Sequence, residues 1–278
     1  MNISQLISEA YAEDVPTGDI TTDNLQLKEA IGNARLVAKE DLVLSGAGLF
    51  EQCVRHMAPS AEFKWQFNDG AMILAKQNVC WIKGDLLQLL KAERVALNFL
   101  GHLSGIATLT RCFVQETRDT KCKILDTRKT MPLMRALEKQ AVRDGGGTSH
   151  RTNLSSAILI KENHIRASGG LVQAVRAIRS QYQGPLEVEC STLEEVDMAV
   201  KEKVERILLD NMNNAMIEEA REKIPGNIEI EASGNMNLSR IRSVAQLGVD
   251  FISVGALTHS APAADFSLLF EWQNVERR

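Results

Sequence analysis

Short apolar runs alternate with longer amphipathic stretches through the C-terminal two-thirds of the chain. The six runs fall at about 123–126, 157–161, 186–190, 206–210, 228–232 and 251–254. Each run is followed by a stretch with helical spacing of its apolar residues, which is typical of repeated βα units around a parallel sheet. A closed barrel of this kind has eight strands. The pattern therefore predicts an α/β fold whose barrel is open and atypical, with about six parallel strands.

Signals at predicted helix ends support this alternation. Thr192 is followed by Glu195 three residues later, a spacing that predicts a capping box at the start of a helix. The segment 237–247 begins with Asn237 and is followed by Gly248, an N-cap and C′ pair.

The first third of the chain has a different pattern. It predicts a helix at 3–13, a strand or hairpin at 35–46, a helix at 47–57 and further strands within 61–84. A long apolar-periodic helix follows at 86–117, with an expected break near Gly101 or Gly105. We expect residues 1–110 to form an N-terminal α/β sandwich domain and 111–265 the barrel domain. The apolar tail at 266–278 is expected to pack back on the first domain.

Composition excludes several classes of protein. The net charge is −4, which argues against the basic surface of a nucleic-acid-binding protein. No apolar run reaches the roughly 18 to 20 residues of a membrane span, and the N-terminus lacks the pattern of a secretory signal. The five cysteines form no CxxC pair, as expected for reduced thiols in a cytoplasmic protein.

Reactive side chains fall at the ends of the predicted strands, where barrel enzymes carry their active sites. Cations follow the first two strands, carboxylates close the next two, and Gly/Ser turns follow the last two. The cationic set is Arg94, Arg128, Lys129, His150, Arg151 and Lys161; the acids are Glu189 and Asp210; the turns are Ser233-Gly234-Asn235 and Val254-Gly255-Ala256. This layout suits a substrate with carboxylates together with a metal-bound polyphosphate.

The cations could instead be solvated, or paired with Asp126, Glu138 or Glu162. Their recurrence at equivalent strand ends favours ligand binding, because arginine forms a two-pronged contact with a carboxylate and lysine supplies a point charge.

The two strand-end acids, Glu189 and Asp210, are suited to Mg²⁺, which prefers one or two carboxylates with water and phosphate oxygens. The alternative is that they cap helices or pair with Lys161. Glu187 lies on the same strand as Glu189 and could exchange roles with it. The two Gly/Ser turns are typical of a phosphate site, with Asn235 or Asn237 at the start of the following helix. No zinc-ligand spacing and no GxSxG motif is present.

The chain resembles the quinolinate phosphoribosyltransferase family, the type II phosphoribosyltransferases of NAD biosynthesis. The resemblance runs almost end to end. Its blocks are EDVPTGDITT (13–22), ERVALNFLGHLSGIAT (93–108), DTRKT (126–130), RALEKQAVRDGGG (135–147), HR (150–151), LIKENHI (159–165), EVE (187–189), LLDNM (208–212), EASGN (231–235) and GVDFISVGALTHS (248–260).

The resemblance implies a glycosyltransferase that moves phosphoribosyl from phosphoribosyl pyrophosphate to quinolinate and releases CO2 and pyrophosphate to give nicotinate mononucleotide. It implies quinolinate binding by the cationic set, with Thr127 in the DTRKT block. Phosphoribosyl pyrophosphate and Mg²⁺ are expected at Glu189 and Asp210, and the 5-phosphate at the two turns. Lys129, Lys161, Glu189 and Asp210 are the expected catalytic residues. The family also implies a homodimer, or a hexamer built of dimers, in which Arg94 reaches the partner's site.

Four positions depart from the family pattern, and the first is Met131, where the family usually has threonine. Leu133 stands where the family usually has glycine, Ser149 where asparagine is common, and Glu162 where aspartate is commoner. Leu133 puts the detailed shape of the quinolinate pocket in doubt, because it restricts the backbone more than glycine does.

Two alternatives are a related phosphoribosyltransferase for another base and a non-catalytic protein that binds a phosphorylated ligand. The complete DTRKT and LIKENH blocks argue against the first alternative. Intact Lys129, Glu189 and Asp210 argue against the second.

Overall fold

The structure, a computed structural model, describes residues 2–24 and 31–272. Helices and strands alternate along the chain in the following order: α1 (Ile3–Asp14), α2 (Ile20–Asn24), β1 (Ile31–Ala38), β2 (Leu42–Val43), α3 (Ala47–Met57), β3 (Glu62–Trp65), β4 (Met72–Ile73), β5 (Asn78–Asp85), α4 (Leu86–Thr117), β6 (Lys123–Leu125), α5 (Arg135–Asp144), β7 (Ile158–Ile160), α6 (Glu162–Ala167), α7 (Leu171–Arg179), β8 (Leu186–Cys190), α8 (Leu193–Lys201), β9 (Arg206–Asp210), α9 (Asn214–Lys223), β10 (Glu229–Ser233), α10 (Leu238–Gln246), β11 (Phe251–Ser253), α11 (Ala256–His259) and β12 (Phe266–Glu271).

The chain divides into two compact units. The first comprises Met1–Leu109, Pro132–Gly146 and Ala261–Arg278, and the second comprises Thr110–Met131 and Gly147–Ser260. The first change of unit along the chain falls between Leu109 and Thr110. Among the described residues, no helix is long and apolar enough to cross a bilayer.

An antiparallel sheet of order β12-β1-β5-β3 is the centre of the first unit. Alternate residues of β1, Ala34, Leu36 and Ala38, are fully buried and form the inner face of this sheet. β1 and β2 do not form a hairpin, because β2 pairs with β4 instead. Asn2 is the N-cap of α1, and its side chain forms a capping box with Gln5.

The described part of the C-terminal tail joins this sheet. β12 runs antiparallel to β1, from the pair Ala38 and Phe266 to the pair Asn33 and Glu271. The apolar residues Phe266 and Leu268 are buried there. Residues 273–278 of the expected tail lie outside the described residues.

The segment 132–146 belongs to the first unit, although the sequence assigned it to the barrel domain. Two polar contacts hold it there. The hydroxyl of Ser45 donates a hydrogen bond to Asp144 at 2.7 Å. The ring Nε2 of His102 lies 2.7 Å from a carboxylate oxygen of Glu138, which is fully buried. Such long-range polar pairs are invisible in a local sequence pattern.

Leu133 has the left-handed backbone that its family position suggested. Its φ is 68°, and its side chain is 71% exposed. A residue with a Cβ pays roughly 1–2 kcal/mol in this region, a cost that glycine avoids. The backbone of Leu133 is therefore strained at this turn.

The expected break in the long helix is wrong, since α4 runs without interruption from residue 86 to 117. Gly101 and Gly105 instead allow the C-terminal segment to pass close to the helix. A Cβ on Gly105 would lie 2.0 Å from the carbonyl oxygen of Pro262, and one on Gly101 would lie 2.8 Å from that of Ala264. The backbone N–H of Ala264 donates to the Gly101 carbonyl at 2.9 Å. The glycines serve close packing within the first unit rather than a kink.

The second unit contains one parallel sheet of six strands in the order β6-β11-β10-β9-β8-β7. The first strand in the chain, β6, lies beside the last, β11, and the sheet is open between β6 and β7. The prediction of an open barrel of about six parallel strands is confirmed. Because all six strands run in the same direction, their carboxyl ends share one edge.

Helices α7 to α10 alternate with these strands, and their apolar faces are buried. Val196 of α8, Ile217 of α9 and Ile241 of α10 are fully buried. The predicted capping box of α8 is confirmed, since the Thr192 side chain accepts a hydrogen bond from the backbone N–H of Glu195 at 3.2 Å. Asn237 caps α10 in the same way.

The role of Gly105 can be tested by adding a methyl group. In an ordinary helix interior, glycine to alanine stabilises by about 0.5–1 kcal/mol. At Gly105 we expect Gly105→Ala to destabilise by more than about 2 kcal/mol, because the new Cβ overlaps a backbone oxygen. The free energy of unfolding, measured in urea, reports the sign.

The matched control is Gly48→Ala in α3, where no atom lies within 4 Å of the new Cβ. This variant should be neutral or more stable than the wild type. Stabilisation by Gly105→Ala would show that the segment around Pro262 is not packed against the helix.

Candidate active site

A pocket of about 740 Å³ lies at the carboxyl ends of the parallel strands. Its lining comes entirely from the second unit. It comprises Thr127, Arg128, Lys129, His150, Arg151, Leu159, Lys161, Glu189, Leu208, Asp210, Asn211, Glu231, Ser233, Gly234, Asn235, Met236, Ser253, Val254, Gly255, Ala256 and His259.

The loops after β6 bring the cations together. The Asp126 carboxylate, fully buried, accepts a hydrogen bond from the backbone N–H of His150 at 2.9 Å. This contact fixes the segment that carries His150 and Arg151 beside the segment that carries Arg128. Burial, with the neighbouring charge of Arg128, lowers the pKa of Arg151 from its usual value. The two guanidinium groups repel each other, and an anion bound between them would relieve this repulsion.

Arg128 has a donor that the described residues do not satisfy. Its Nε is buried and has no hydrogen-bond partner among them. A buried donor without an acceptor is unfavourable unless a ligand supplies the acceptor. An anionic ligand in the pocket fits this requirement.

The carboxylates lie on the neighbouring strands. The ammonium of Lys161 lies 2.8 Å from Glu189, so cation and acid meet at the ends of β7 and β8. Burial raises the pKa of Asp210, and the charge of Glu189 raises it further, while Lys161 and Lys129 act in the opposite direction. Two acids that repel each other between two lysines form a site of mixed charge.

The turn after β10 is shaped by backbone conformations that few side chains accept. Gly234 has a φ of 90°, and a Cβ there would lie 2.2 Å from the Asn211 side chain and 2.8 Å from its backbone nitrogen. Asn211 and Asn235 also have positive φ values. The amide of Asn235 donates to that of Asn211 at 3.2 Å, and the amide of Asn211 donates to Asp210 at 2.7 Å. These contacts connect the two strand ends.

The turn after β11 packs against Lys129. The Thr258 hydroxyl donates to the backbone carbonyl of Lys129 at 2.7 Å. A Cβ on Gly255 would lie 3.1 Å from the Lys129 side chain and 3.2 Å from the ring of His259. Gly255 therefore gives the Lys129 stem room beside the last strand.

The lower part of the pocket contains a buried group of ionisable side chains. The Nε2 of His150 lies 3.3 Å from Glu187 and 3.4 Å from Glu231. Glu231 also accepts a hydrogen bond from Ser253 and lies 3.5 Å from Arg206. Glu231 is fully buried and Glu187 nearly so.

The protonation of this group follows from its contacts. Burial lowers the pKa of His150, but the nearby carboxylates of Glu187 and Glu231 outweigh burial and raise the pKa to about 9. Burial raises the pKa of Glu187. Burial acts in the same direction on Glu231, but its contact with His150 prevails and lowers that pKa. The backbone N–H of Arg151 donates to Nδ1 of His150 at 2.6 Å, and a ring that accepts this hydrogen bond is neutral, with its one proton on Nε2 toward the two carboxylates. The raised pKa means that the carboxylates also favour a second ring proton, which would replace the contact between Nδ1 and Arg151.

Every residue predicted for the site except Arg94 lies on the pocket wall. Arg94 lies exposed on α4 in the first unit. The alternative in which Glu187 replaces Glu189 in the pocket does not match the structure. Glu189 lines the pocket, whereas Glu187 faces His150. The roles of these residues in substrate binding and catalysis stay predictions.

Sequence reasoning missed several wall residues. Asn211 directly follows Asp210, and Glu231 lies two residues before Ser233 on the same face of β10, so their positions carried a signal. His259 also lines the pocket, although it belongs to no recognisable metal or catalytic motif in the sequence. The pairing of Glu231 with His150 had no local signal, because these residues are far apart in the chain.

Glu189 and Asp210 fit a bound Mg²⁺. Their carboxylate oxygens are hard ligands that this ion prefers. Their mutual repulsion, visible in the raised pKa of Asp210, is the electrostatic condition that a cation relieves. The buried group of His150, Glu187 and Glu231 also brings its possible ligand atoms within 4.8 Å of one another. It includes an imidazole and already has Arg206 beside it, so it suits Mg²⁺ less well.

Comparison with known proteins identifies the family. Residues 19–104 match the N-terminal domain of quinolinate phosphoribosyl transferase, and residues 106–269 match its C-terminal domain. A protein of Synechocystis sp. named "Probable nicotinate-nucleotide pyrophosphorylase [carboxylating]" is 42% identical over 272 residues, which cover 96% of this chain and 92% of that protein.

Solved structures agree with this match. The nicotinate-nucleotide pyrophosphorylase of Francisella tularensis superimposes with a TM-score of 0.92 at 37% identity, covering 97% of this chain and 96% of that one. The enzyme of the same name from Ehrlichia chaffeensis gives 0.93 at 35% identity, covering 98% and 99%. From the two matched domains, the close relative and the pocket of cations, acids and glycine turns, it follows that the chain belongs to the quinolinate phosphoribosyltransferase family.

Proposed function

We propose that this protein transfers phosphoribosyl from phosphoribosyl pyrophosphate to quinolinate, with decarboxylation, and so produces nicotinate mononucleotide for NAD biosynthesis. The names of its relatives support this activity. The observation that carries the proposal is the division of charge within one pocket. Cations occupy the side formed by β6, β7 and the segment 148–151, while acids and glycine turns occupy the side formed by β8 to β11.

Quinolinate has two adjacent carboxylates, and the cationic side offers matching groups. Arg128 has a buried donor that the described residues leave unsatisfied, and Arg151 lies close enough for their charges to interact. Lys161 supplies an ammonium at the end of β7. A guanidinium binds a carboxylate through two parallel hydrogen bonds, which fixes the plane of the pyridine ring.

Phosphoribosyl pyrophosphate fits the opposite side. The backbone N–H groups of the turns at Ser233-Gly234-Asn235 and Val254-Gly255-Ala256 are suited to the 5-phosphate, because glycine allows the anion to approach the backbone closely. Glu189 and Asp210 would hold Mg²⁺, which when bound neutralises charge on the pyrophosphate.

The reaction depends on the relative position of the two substrates and requires no strong base. The ring nitrogen of quinolinate forms a bond to C1 of the ribose as the bond from C1 to pyrophosphate breaks. The pyridinium that results accepts the electron pair when the 2-carboxylate leaves as CO2, and a proton then replaces it on the ring carbon. Arg128, Arg151 and Lys161 orient the carboxylates, and Lys129, beside Gly255, offsets charge on the leaving pyrophosphate.

Arg94 is exposed in the first unit and is not among the residues of the pocket wall. We infer a homodimer, or an assembly of dimers, in which Arg94 of one chain completes the quinolinate site of the other. All five cysteines are unpaired, which supports the further proposal of a reducing, cytoplasmic location.

The function is tested by incubating the purified protein with quinolinate, phosphoribosyl pyrophosphate and Mg²⁺. We expect nicotinate mononucleotide and CO2 in equal amounts, measured by chromatography and by release of labelled CO2. Nicotinate in place of quinolinate should give no product, because it lacks the carboxylate that pairs with the second cation. Product from nicotinate alone would indicate a phosphoribosyltransferase for another base.

The charge contacts are tested by Arg128→Ala. Loss of a buried partner for a substrate carboxylate costs about 2–5 kcal/mol, so the KM for quinolinate should rise by at least about 30-fold. The KM for phosphoribosyl pyrophosphate should change little. Steady-state kinetics with each substrate varied separately make this comparison.

The control for that variant is Arg242→Ala. Arg242 is a surface residue of the same unit that pairs with Glu116 at 3.1 Å. Exposed ion pairs contribute little, so its kinetics should match the wild type. An Arg128→Ala protein with an unchanged quinolinate KM would contradict the assignment of the cationic side.

The donation of Arg94 is tested by mixing two impaired variants, Arg94→Ala and Lys129→Ala. A dimer with one chain of each kind has one site that contains neither substitution. After subunit exchange, we expect about a quarter of the wild-type activity, because half of the dimers are mixed and one of their two sites is intact. If Arg94 acts within its own chain, mixing restores no activity.

A further inference from the structure

Two buried carboxylates, Glu231 in the pocket wall and Glu187 behind it, have no part in the proposed reaction. Glu187 projects from β8 and Glu231 from β10, on either side of β9. They converge on one nitrogen, Nε2 of His150, at 3.3 Å and 3.4 Å. Burying two acids is costly unless their contacts offset the loss of hydration. An acid at the surface keeps its hydration and can still form an ion pair. The burial of Glu187 and Glu231 beside the pocket therefore points to a role in the site.

The ring of His150 is held at both nitrogens. Nε2 faces the two carboxylates, and Nδ1 accepts a hydrogen bond from the backbone N–H of Arg151 at 2.6 Å. The backbone N–H of His150 itself donates to Asp126. The imidazole therefore connects the acids on β8 and β10 to the main chain of Arg151, which is a wall residue of the pocket.

The charges around this group are balanced from neighbouring strands. Arg206 of β9 lies 3.5 Å from Glu231, and its positive charge also acts on Glu187. Ser253 of β11 donates its hydroxyl proton to Glu231. With its own cation and hydrogen-bond donor, Glu231 is an ionised group of fixed position. Its other oxygen, Oε2, has no hydrogen-bond partner among the described residues and faces Nε2 of His150 at 3.4 Å, so it acts on the ring as a fixed negative charge.

We propose that Glu231, assisted by Glu187, is a positioning residue that fixes His150 and, through it, Arg151 for quinolinate binding. Neither acid touches the substrate. The effect passes from the carboxylates through the imidazole to the main chain that carries the Arg151 guanidinium. The proposal rests on the proposed function, since it assumes that Arg151 contacts a quinolinate carboxylate.

The test begins with Glu231→Gln, which removes the charge and keeps the size of the side chain. We expect the KM for quinolinate to rise about tenfold, while kcat and the KM for phosphoribosyl pyrophosphate stay within about twofold of wild type. A residue that only stabilised the fold would lower the amount of active enzyme and change both substrates alike.

Transmission through the imidazole is tested by a double-mutant cycle with His150→Gln. If Glu231 acts through His150, the double variant should bind quinolinate no more weakly than the weaker of the two single variants. If the fold-changes of the two single variants multiply in the double variant, the two residues act independently and the proposal is overturned. An unchanged quinolinate KM in Glu231→Gln would overturn it as well. Quinolinate dissociation constants from calorimetry give the same comparison without turnover.

The matched control is Glu229→Gln. Glu229 is on the same strand but exposed, and it pairs with Arg206 at 2.6 Å. This variant removes an equal charge without touching His150, so its quinolinate KM should not change. If Glu231→Gln does not fold, the same cycle with Glu187→Gln decides between the same two outcomes.

Failure of the proposed function gives a different result. In that case the wild-type protein forms no nicotinate mononucleotide at all. An active wild type with multiplying effects in the cycle would retain the function and reject only the positioning role.

Discussion

The parallel pairing of six strands is the constraint on which the site depends. Parallel strands bring their carboxyl ends to one edge, so residues more than a hundred positions apart in the chain become neighbours. Lys129 after β6 and Gly255 after β11 are in contact for this reason, because the first and last strands pair directly. If β6 were elsewhere in the sheet, the cations of its loop would not share a pocket with the phosphate turns.

Charge separation within the pocket follows from the order of the strands. The cationic loops come from β6 and β7, which form the two edges of the open sheet, and the acids come from β8 and β9. Lys161 and Glu189 meet where the two sets adjoin, at 2.8 Å. A substrate pair with carboxylates at one end and a metal-bound pyrophosphate at the other matches this order. The proposed mechanism uses no nucleophilic side chain, because preorganised charge stabilises the transition state.

The close match between predicted and observed strands has a local cause. Buried parallel strands are short apolar runs, and β8 and β9 occupy 186–190 and 206–210 in both descriptions. Predictions that depended on distant partners fared worse. Gly101 and Gly105 were predicted to break the helix. Instead, the absence of a side chain at these positions lets the segment near Pro262 pack directly against the helix. The segment 132–146 was assigned to the barrel, although contacts of Asp144 and Glu138 keep it in the first unit.

The sequence by itself determined the βα repeat, the family and most of the charged and glycine-turn residues of the pocket wall, because strand ends are recognisable from local pattern. It could not separate Glu189 from Glu187, since residues two apart on a strand face the same side. Only the tertiary structure decided that Glu189 reaches the pocket while Glu187 lies deeper against His150. Depth along the barrel is set by how neighbouring strands align, and that alignment is a property of the assembled sheet rather than of any one strand.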